Sequence, residues 1–141
     1  MIDVDDAVQR SNGMFLVVAR VCLALDALIF AMVGVFLFTD PASLPYLDTD
    51  SASGLTAIRT WGGMFFGVGI TGLIAAIYKE WVTPGLVMLL IIGSLIVVAR
   101  VYGIAVDGLE ARQTSELQAE SLGPLLAIIG LIFCRLQKSR P

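Results

Sequence analysis

The sequence contains no histidine and only two cysteines, Cys22 and Cys134. Protein-bound zinc and haem are held mainly by histidine nitrogen and cysteine sulfur, so sites of these common kinds are excluded. Serine–histidine and cysteine–histidine catalytic pairs are excluded for the same reason. Both cysteines lie in apolar runs at different expected depths, which predicts two buried thiols rather than a disulfide. We therefore expect no catalytic residue, no metal site and no resident cofactor, while a bound lipid or quinone remains open.

Charged side chains are also scarce in this chain. They make up 15% of the residues, whereas soluble domains carry about 25%, and 57% of the residues are hydrophobic. The formal net charge is only -3, and the sequence shows no basic face of the kind that nucleic-acid binding requires. Nucleic-acid binding is therefore not expected. Asp3, Asp5 and Asp6 occupy the region where a secretory signal peptide would be basic. The composition therefore predicts an integral membrane protein whose first apolar run is retained as an anchor.

Four apolar stretches are candidates for membrane-spanning helices. An α-helix rises about 1.5 Å per residue, and the hydrocarbon core of a bilayer is about 30 Å thick. The last stretch, residues 122–136, would rise only about 22 Å, so its helix is expected to begin near Leu117. The predicted fold is an all-α, up-down, integral membrane four-helix bundle that forms one domain, residues 14–136. Its spans are predicted at residues 14–38, 59–78, 82–106 and 118–136.

The distribution of lysine and arginine predicts the orientation of the bundle. With four spans both termini lie on one side, which would carry Arg10, Lys79, Arg135, Lys138 and Arg140. The loops on the other side would carry only Arg59 and Arg112. Because basic residues are enriched in cytoplasmic loops, the N-terminal segment 1–13 and the C-terminal tail 137–141 are both predicted to be cytoplasmic.

The second predicted span, RTWGGMFFGVGITGLIAA, is rich in glycine. Each interior glycine costs a helix about 1 kcal/mol relative to alanine in water, but small residues let membrane helices approach closely. On a helical wheel the glycines form two faces. One face contains Gly62, Gly69 and Gly72, and the roughly opposite face contains Gly63 and Gly67. Two small faces predict a central helix with a packing partner on each side. The alternative interpretation is that these glycines have no packing role, because glycine is frequent in membrane helices in general.

A set of ionisable residues is expected near the outer end of the bundle: Arg59, Arg100, Asp107 and Glu120. Ionisable groups within a membrane are costly and normally pair with one another or face a cavity. One interpretation is a structural clamp that ties spans two, three and four together. A second is a site that binds a ligand or a lipid headgroup, or handles protons. The third is that the arginines extend to the lipid headgroups.

Arg20 and Asp26 are a second pair of charges inside a predicted span. They are six residues apart, so they do not face each other on one helix. Arg20 is expected near the inner interface, and Asp26 near the middle of the membrane. Asp26 is predicted to be neutral, to bond to Thr71 or Ser94, or to pair across a subunit boundary. A role in proton relay is a further alternative.

These residues resemble the pattern of a family of small bacterial four-helix membrane proteins that is known only as a domain of unknown function. The pattern is also distantly similar to the DoxX-like group. The resemblance covers approximately residues 28–133. It is carried by Arg59 before Gly62-Gly63 and Gly67-x-Gly69, by Arg100 with Asp107-Gly108, and by Glu120 at the start of the last helix.

The chain departs from that pattern at two positions. Ala99 precedes Arg100 where the family usually has glycine, and Ile58 precedes Arg59 where it often has an acidic residue. The resemblance implies the four-helix fold and the polar cluster, and it implies no established activity. The predicted location is the bacterial cytoplasmic (inner) membrane. DoxX-like relatives include subunits associated with quinone-linked oxidoreductases, which implies an accessory role.

Two classes of function are therefore expected. The first is a non-catalytic accessory or scaffold subunit, in a homo-oligomer or in a larger membrane complex. The second is a small lipid- or quinone-binding protein that uses the Arg/carboxylate cluster near the outer leaflet. Membrane lipids are expected partners in both cases, and nucleic acid is not.

Overall fold

The computed structural model describes residues 4–41, 51–109 and 111–139, and the side chains of residues 13–41, 51–109 and 113–139. The predicted all-α, four-helix architecture is confirmed. The helices are α1 (Val4–Thr39), α2 (Ala52–Ile77), α3 (Val82–Asp107) and α4 (Ala111–Lys138), with a 3-10 turn at Lys79–Trp81 between α2 and α3. The predicted spans 14–38, 82–106 and 118–136 lie within α1, α3 and α4, and the predicted span 59–78 lies within α2 except for Tyr78, which follows the last residue of that helix.

Local signals in the sequence explain where several of these helices start and stop. Ser51 caps α2, and its hydroxyl accepts a hydrogen bond of 3.0 Å from the backbone N–H of Gly54. Pro41 follows the end of α1, where proline cannot continue the helical hydrogen bonds. Gly108 ends α3 with a φ of 98°, a left-handed conformation that favours glycine.

All four helices are long and apolar enough to cross a membrane, over Gly13–Thr39, Ala52–Ile77, Lys79–Asp107 and Gln113–Lys138. Many large apolar side chains on their outer faces are exposed, including Met32, Phe36, Leu95 and Ile132. An apolar exterior is unfavourable in water but is matched by lipid chains. These features indicate a membrane protein.

The central helix of the bundle is α1, and the prediction that α2 is central is wrong. Helix α1 packs against α2, α4 and α3, whereas α2 packs mainly against α1 and much less against α3. The tight α1–α2 contact is backbone against backbone. A Cβ atom added to Gly69 would lie 2.5 Å from the Ala31 backbone nitrogen and 2.7 Å from the Ala27 carbonyl oxygen. Only glycine fits at that position.

The two glycine faces of α2 have different surroundings. Gly62, Gly69 and Gly72 are buried against α1, as the packing prediction requires. Gly63 and Gly67 are exposed, and a Cβ added to either would have no atom of the described chain within 4 Å. The predicted role of Gly63 and Gly67 in packing this bundle is therefore wrong, because no helix among the described residues covers the side of α2 opposite α1.

The hydrophobic core lies where α1, α3 and α4 meet. Its fully buried members include Leu23 on α1, Leu86 and Leu89 on α3, and Ala127 on α4. Cys22 and Cys134 are both buried and free, which confirms the expectation of two thiols rather than a disulfide.

Candidate functional site

Arg100 on α3 is held by two carboxylates of α4. Its Nη1 donates to Glu116 Oε2 at 2.8 Å, its Nε donates to Glu120 Oε2 at 3.0 Å, and its Nη2 donates to Glu120 Oε1. Residues four apart share a face of a helix, so α4 presents both carboxylates together. The Glu120 contact is bidentate, which is the strongest geometry for an arginine–carboxylate pair. We call Arg100, Glu116 and Glu120 the α3–α4 clamp.

The clamp is half-buried rather than buried. The side chains of Arg100, Glu116 and Glu120 are 29%, 20% and 23% exposed. Glu116 is absent from the cluster predicted from sequence, although its spacing of four residues from Glu120 was the available signal. It was missed because it lies outside the apolar run of the last span.

The other two members of the predicted cluster lie elsewhere. Arg59 on α2 and Asp107 at the end of α3 are both exposed, and neither takes part in an ion pair among the described side chains. The predicted cluster of Arg59, Arg100, Asp107 and Glu120 is therefore only partly formed. Arg59 is not brought to the clamp because α2 packs mainly against α1 and not against α4.

Asp26 on α1 is the most unusual polar residue of the described chain. It is 0% exposed, and neither of its carboxyl oxygens has a hydrogen-bond partner among the described residues. Thr71, one of its predicted partners, instead donates to the Gly67 carbonyl of its own helix at 2.9 Å. A buried polar group without a hydrogen bond is costly and rare in native proteins. Such a group within a membrane helix is a candidate functional site.

The α4 backbone approaches Asp26 closely at Gly123. A Cβ atom added to Gly123 would lie 2.8 Å from Asp26 Oδ1, so no larger residue fits without a shift. Pro124 follows and lies inside the helix. Proline has no N–H, so the carbonyl of Glu120 loses its usual helical donor at this point. The Asp26 carboxyl therefore has no hydrogen-bond partner among the described residues, and the Glu120 carbonyl has no N–H at position 124 from which to accept.

A cavity of about 120 Å³ connects Asp26 to the clamp. All four helices line it, and we call it the Asp26 cavity. Asp26 and Glu120 are the charged residues of its wall, and the rest is mainly apolar: Ile29, Phe30, Val33, Phe65, Ile96 and Pro124. A dry cavity of about 150 Å³ accommodates benzene, so this smaller space suits a few waters, or a ring that extends partly outside it.

Arg20 does not complete the site. It is half-buried, its Nε is buried without a hydrogen-bond partner, and no ion pair joins it to Asp26 among the described residues. The sequence spacing had indicated that these two residues do not face each other. Within the described part of the chain, no three cysteine or carboxylate side chains gather as a metal site.

Four helices that are long and apolar enough to cross a membrane, together with the apolar exterior of the bundle, indicate a multi-pass α-helical membrane protein. Residues 18–131 match the family model described as Domain of unknown function (DUF4345), and the chain belongs to this family. The match contains Arg100, Asp26, Glu116 and Glu120. No curated protein and no solved structure matches the chain.

Proposed function

We propose that this protein is a non-catalytic membrane protein that binds one small quinone-like molecule in the Asp26 cavity. The observation that carries the proposal is the fully buried, unpartnered Asp26 carboxyl on the cavity wall. A protonated carboxyl donates a hydrogen bond to a quinone carbonyl, and an ionised carboxyl accepts one from a quinol hydroxyl. Both carboxyl oxygens are covered in this structure, so a ligand oxygen would reach Asp26 only after the side chains around the cavity shift. With that shift, a membrane-dissolved ring with oxygen substituents would supply the partner that Asp26 lacks.

The apolar part of the cavity supports a ring rather than a charged ligand. The ring centroids of Phe30 and Phe65 lie 5.8 Å apart with the ring planes tilted by 33°, and both residues line the cavity. Small-molecule sites typically combine apolar and aromatic walls with few polar groups that fix orientation. The proposed ligand would place its ring among these side chains and one oxygen against Asp26.

Arg100 has a structural role in this proposal. Its guanidinium donates three hydrogen bonds to Glu116 and Glu120, so the clamp neutralises its own arginine and ties α3 to α4. The ligand site proposed here is therefore centred on Asp26 and not on the Arg/carboxylate cluster expected from sequence. Glu120 belongs to both the clamp and the cavity wall. We treat Arg100 as a residue that positions Glu120 and not as a ligand contact.

Ligand binding should raise thermal stability in a way that depends on Asp26. A ligand at one hundred times its dissociation constant stabilises the folded state by about 2.7 kcal/mol. We expect a short-chain benzoquinone to raise the melting temperature of the detergent-solubilised protein, and Asp26→Ala to abolish that shift. The measurement is circular dichroism melting with and without the quinone.

The matched control for this experiment is Asp107→Ala, which removes an exposed carboxylate outside the cavity. It should retain the full shift. Without ligand, Asp26→Ala should melt no lower than the native protein, because the change removes a buried group that lacks a hydrogen bond. A quinone-induced shift of equal size in Asp26→Ala would contradict the proposal.

A second candidate function is an accessory or scaffold subunit of a membrane complex or homo-oligomer. The observation in its favour is the outward Gly63 and Gly67 pair, which no described part of this chain covers. Small residues four apart are a common contact surface between membrane helices. The resemblance to DoxX-like proteins, which include subunits associated with quinone-linked oxidoreductases, is compatible with both candidates.

We further propose that the protein lies in a bacterial cytoplasmic membrane with both termini in the cytoplasm. Lys79, Arg135 and Lys138 lie at the end of the bundle that holds the C-terminus, while Arg59 lies towards the other. This bias supports a cytoplasmic C-terminus. The side chains of Arg10, Arg112 and Arg140, which entered the same prediction, lie outside the described residues.

Cysteine labelling tests this orientation. In a Cys22→Ala, Cys134→Ala background, Ser139→Cys should be protected from a membrane-impermeant maleimide in intact cells, and Ser51→Cys should react. Both positions are exposed, so each should react once the membrane is permeabilised. Reaction of the Ser139→Cys variant from outside intact cells would show that the orientation is reversed.

A further inference from the structure

A second opening lies at the opposite end of the bundle from the clamp. It is a groove of about 420 Å³ between the start of α3 and the end of α4, and we call it the C-terminal groove. Its walls are apolar, formed mainly by Val87, Ile128, Leu131 and Ile132. Arg135 and Lys138 line the same groove, in the last turn of α4. An apolar trough therefore ends at two cations.

The two cations carry no carboxylate partner in the described structure. Both are exposed, and the ion pairs among the described side chains involve Arg100 and not Arg135 or Lys138. Residues three apart lie on one side of a helix, so both charges can reach one anion. Basic residues in the last turn of a helix also interact favourably with the helix dipole. That effect explains the two charges but not the groove beside them. The groove and the charges together point to a ligand.

We infer that the C-terminal groove binds one anionic phospholipid. Its acyl chain would lie against Val87, Ile128 and Ile132, and its phosphate would pair with Arg135 and Lys138. Basic pockets between membrane helices on the cytoplasmic side are suited to anionic headgroups, which are abundant in that leaflet. A neutral lipid would fill the same trough without using the cations. This site is separate from the Asp26 cavity and shares no lining residue with it.

Lipid competition measured by native mass spectrometry tests the inference. The protein would be mixed with vesicles of phosphatidylglycerol and phosphatidylcholine that carry the same acyl chains. Each basic residue near a membrane surface favours anionic lipid by a factor of about five, so the two together predict a preference of roughly 25-fold for phosphatidylglycerol. Arg135→Gln with Lys138→Gln should bring this preference close to one.

Two further variants separate a groove from general surface charge. Lys79→Gln removes an exposed cation from the same end of the bundle but outside the groove, and it should keep the preference. Val87→Trp fills the trough and should displace the lipid while leaving both cations in place. Inorganic phosphate should not compete at millimolar concentration, because it lacks the acyl chain. Equal binding of the two lipids, or an unchanged preference in the Arg135 and Lys138 double variant, would overturn the inference.

Discussion

Gly69→Leu is expected to prevent assembly of the bundle. A Cβ atom at this position would lie 2.5 Å from the Ala31 nitrogen and 2.7 Å from the Ala27 oxygen, so the obstacle is backbone that cannot rotate away. Inserting a larger side chain into a packed core usually destabilises a protein by about 1–3 kcal/mol. The leucine at position 69 would hold α1 away from α2 along their contact, so the loss of stability should be larger. Gel filtration in mild detergent should show loss of the monodisperse folded species.

Gly67→Leu is the matched control for this experiment. It makes the same substitution two residues away, where an added Cβ has no neighbour within 4 Å among the described residues. The folded species and its melting temperature should be retained. If the accessory-subunit candidate is correct, Gly67→Leu should still fold and should lose a partner that co-purifies with the native protein. Equal stability of the Gly69→Leu and Gly67→Leu variants would contradict the α1–α2 contact described here.

Arg100→Ala is expected to destabilise the bundle by roughly 2–3 kcal/mol. Exposed ion pairs contribute about 0–1 kcal/mol, and the loss of one partner from a buried pair costs about 3–5 kcal/mol. Because the clamp is half-buried, the expected destabilisation lies between these two ranges. The loss would come mainly from Glu116 and Glu120, which would face each other without the guanidinium. Melting followed by circular dichroism should show the change.

Two further variants isolate the clamp from a general effect of removing arginine. Arg59→Ala removes an exposed arginine with no ion pair in the described structure, and it should change stability by no more than about 0.5 kcal/mol. Glu120→Gln should cost less in an Arg100→Ala background than in the native protein, because the clamp is then already broken. Additive effects of the two substitutions would mean that Arg100 and Glu120 do not interact.

The helices could be predicted from sequence because the bilayer sets a length and an apolar composition that few other structures satisfy. Pro41 and Gly108 also mark helix ends through local backbone chemistry. The neighbours of each helix could not be predicted in the same way. A lipid chain is as apolar as a leucine on another helix, so the sequence does not reveal whether Gly67 faces lipid or protein.

The polar site was only partly predictable for a related reason. Arg100 and Glu120 could be grouped from sequence because both were expected near the outer end of the bundle, where ionisable side chains normally pair with one another. Arg59 was grouped with them by its expected depth, which does not determine which side of a helix faces the bundle. Asp107 was grouped with them because it follows Arg100 by seven residues on the same predicted helix face, but it lies at the exposed end of α3. Asp26 was recognised as an intramembrane charge, but its cavity depends on Gly123 and Pro124 of α4, whose approach to α1 is a property of the packed structure.

The most direct test of the proposed function is native mass spectrometry of the protein released from its own membranes in mild detergent. The account predicts one small quinone-like adduct per chain, present in the native protein and in Asp107→Ala and absent from Asp26→Ala. Each variant would first be shown to be folded by its circular dichroism melt. A folded native protein that carries no such adduct, or equal occupancy in Asp26→Ala, would contradict the assignment of the Asp26 cavity as a ligand site.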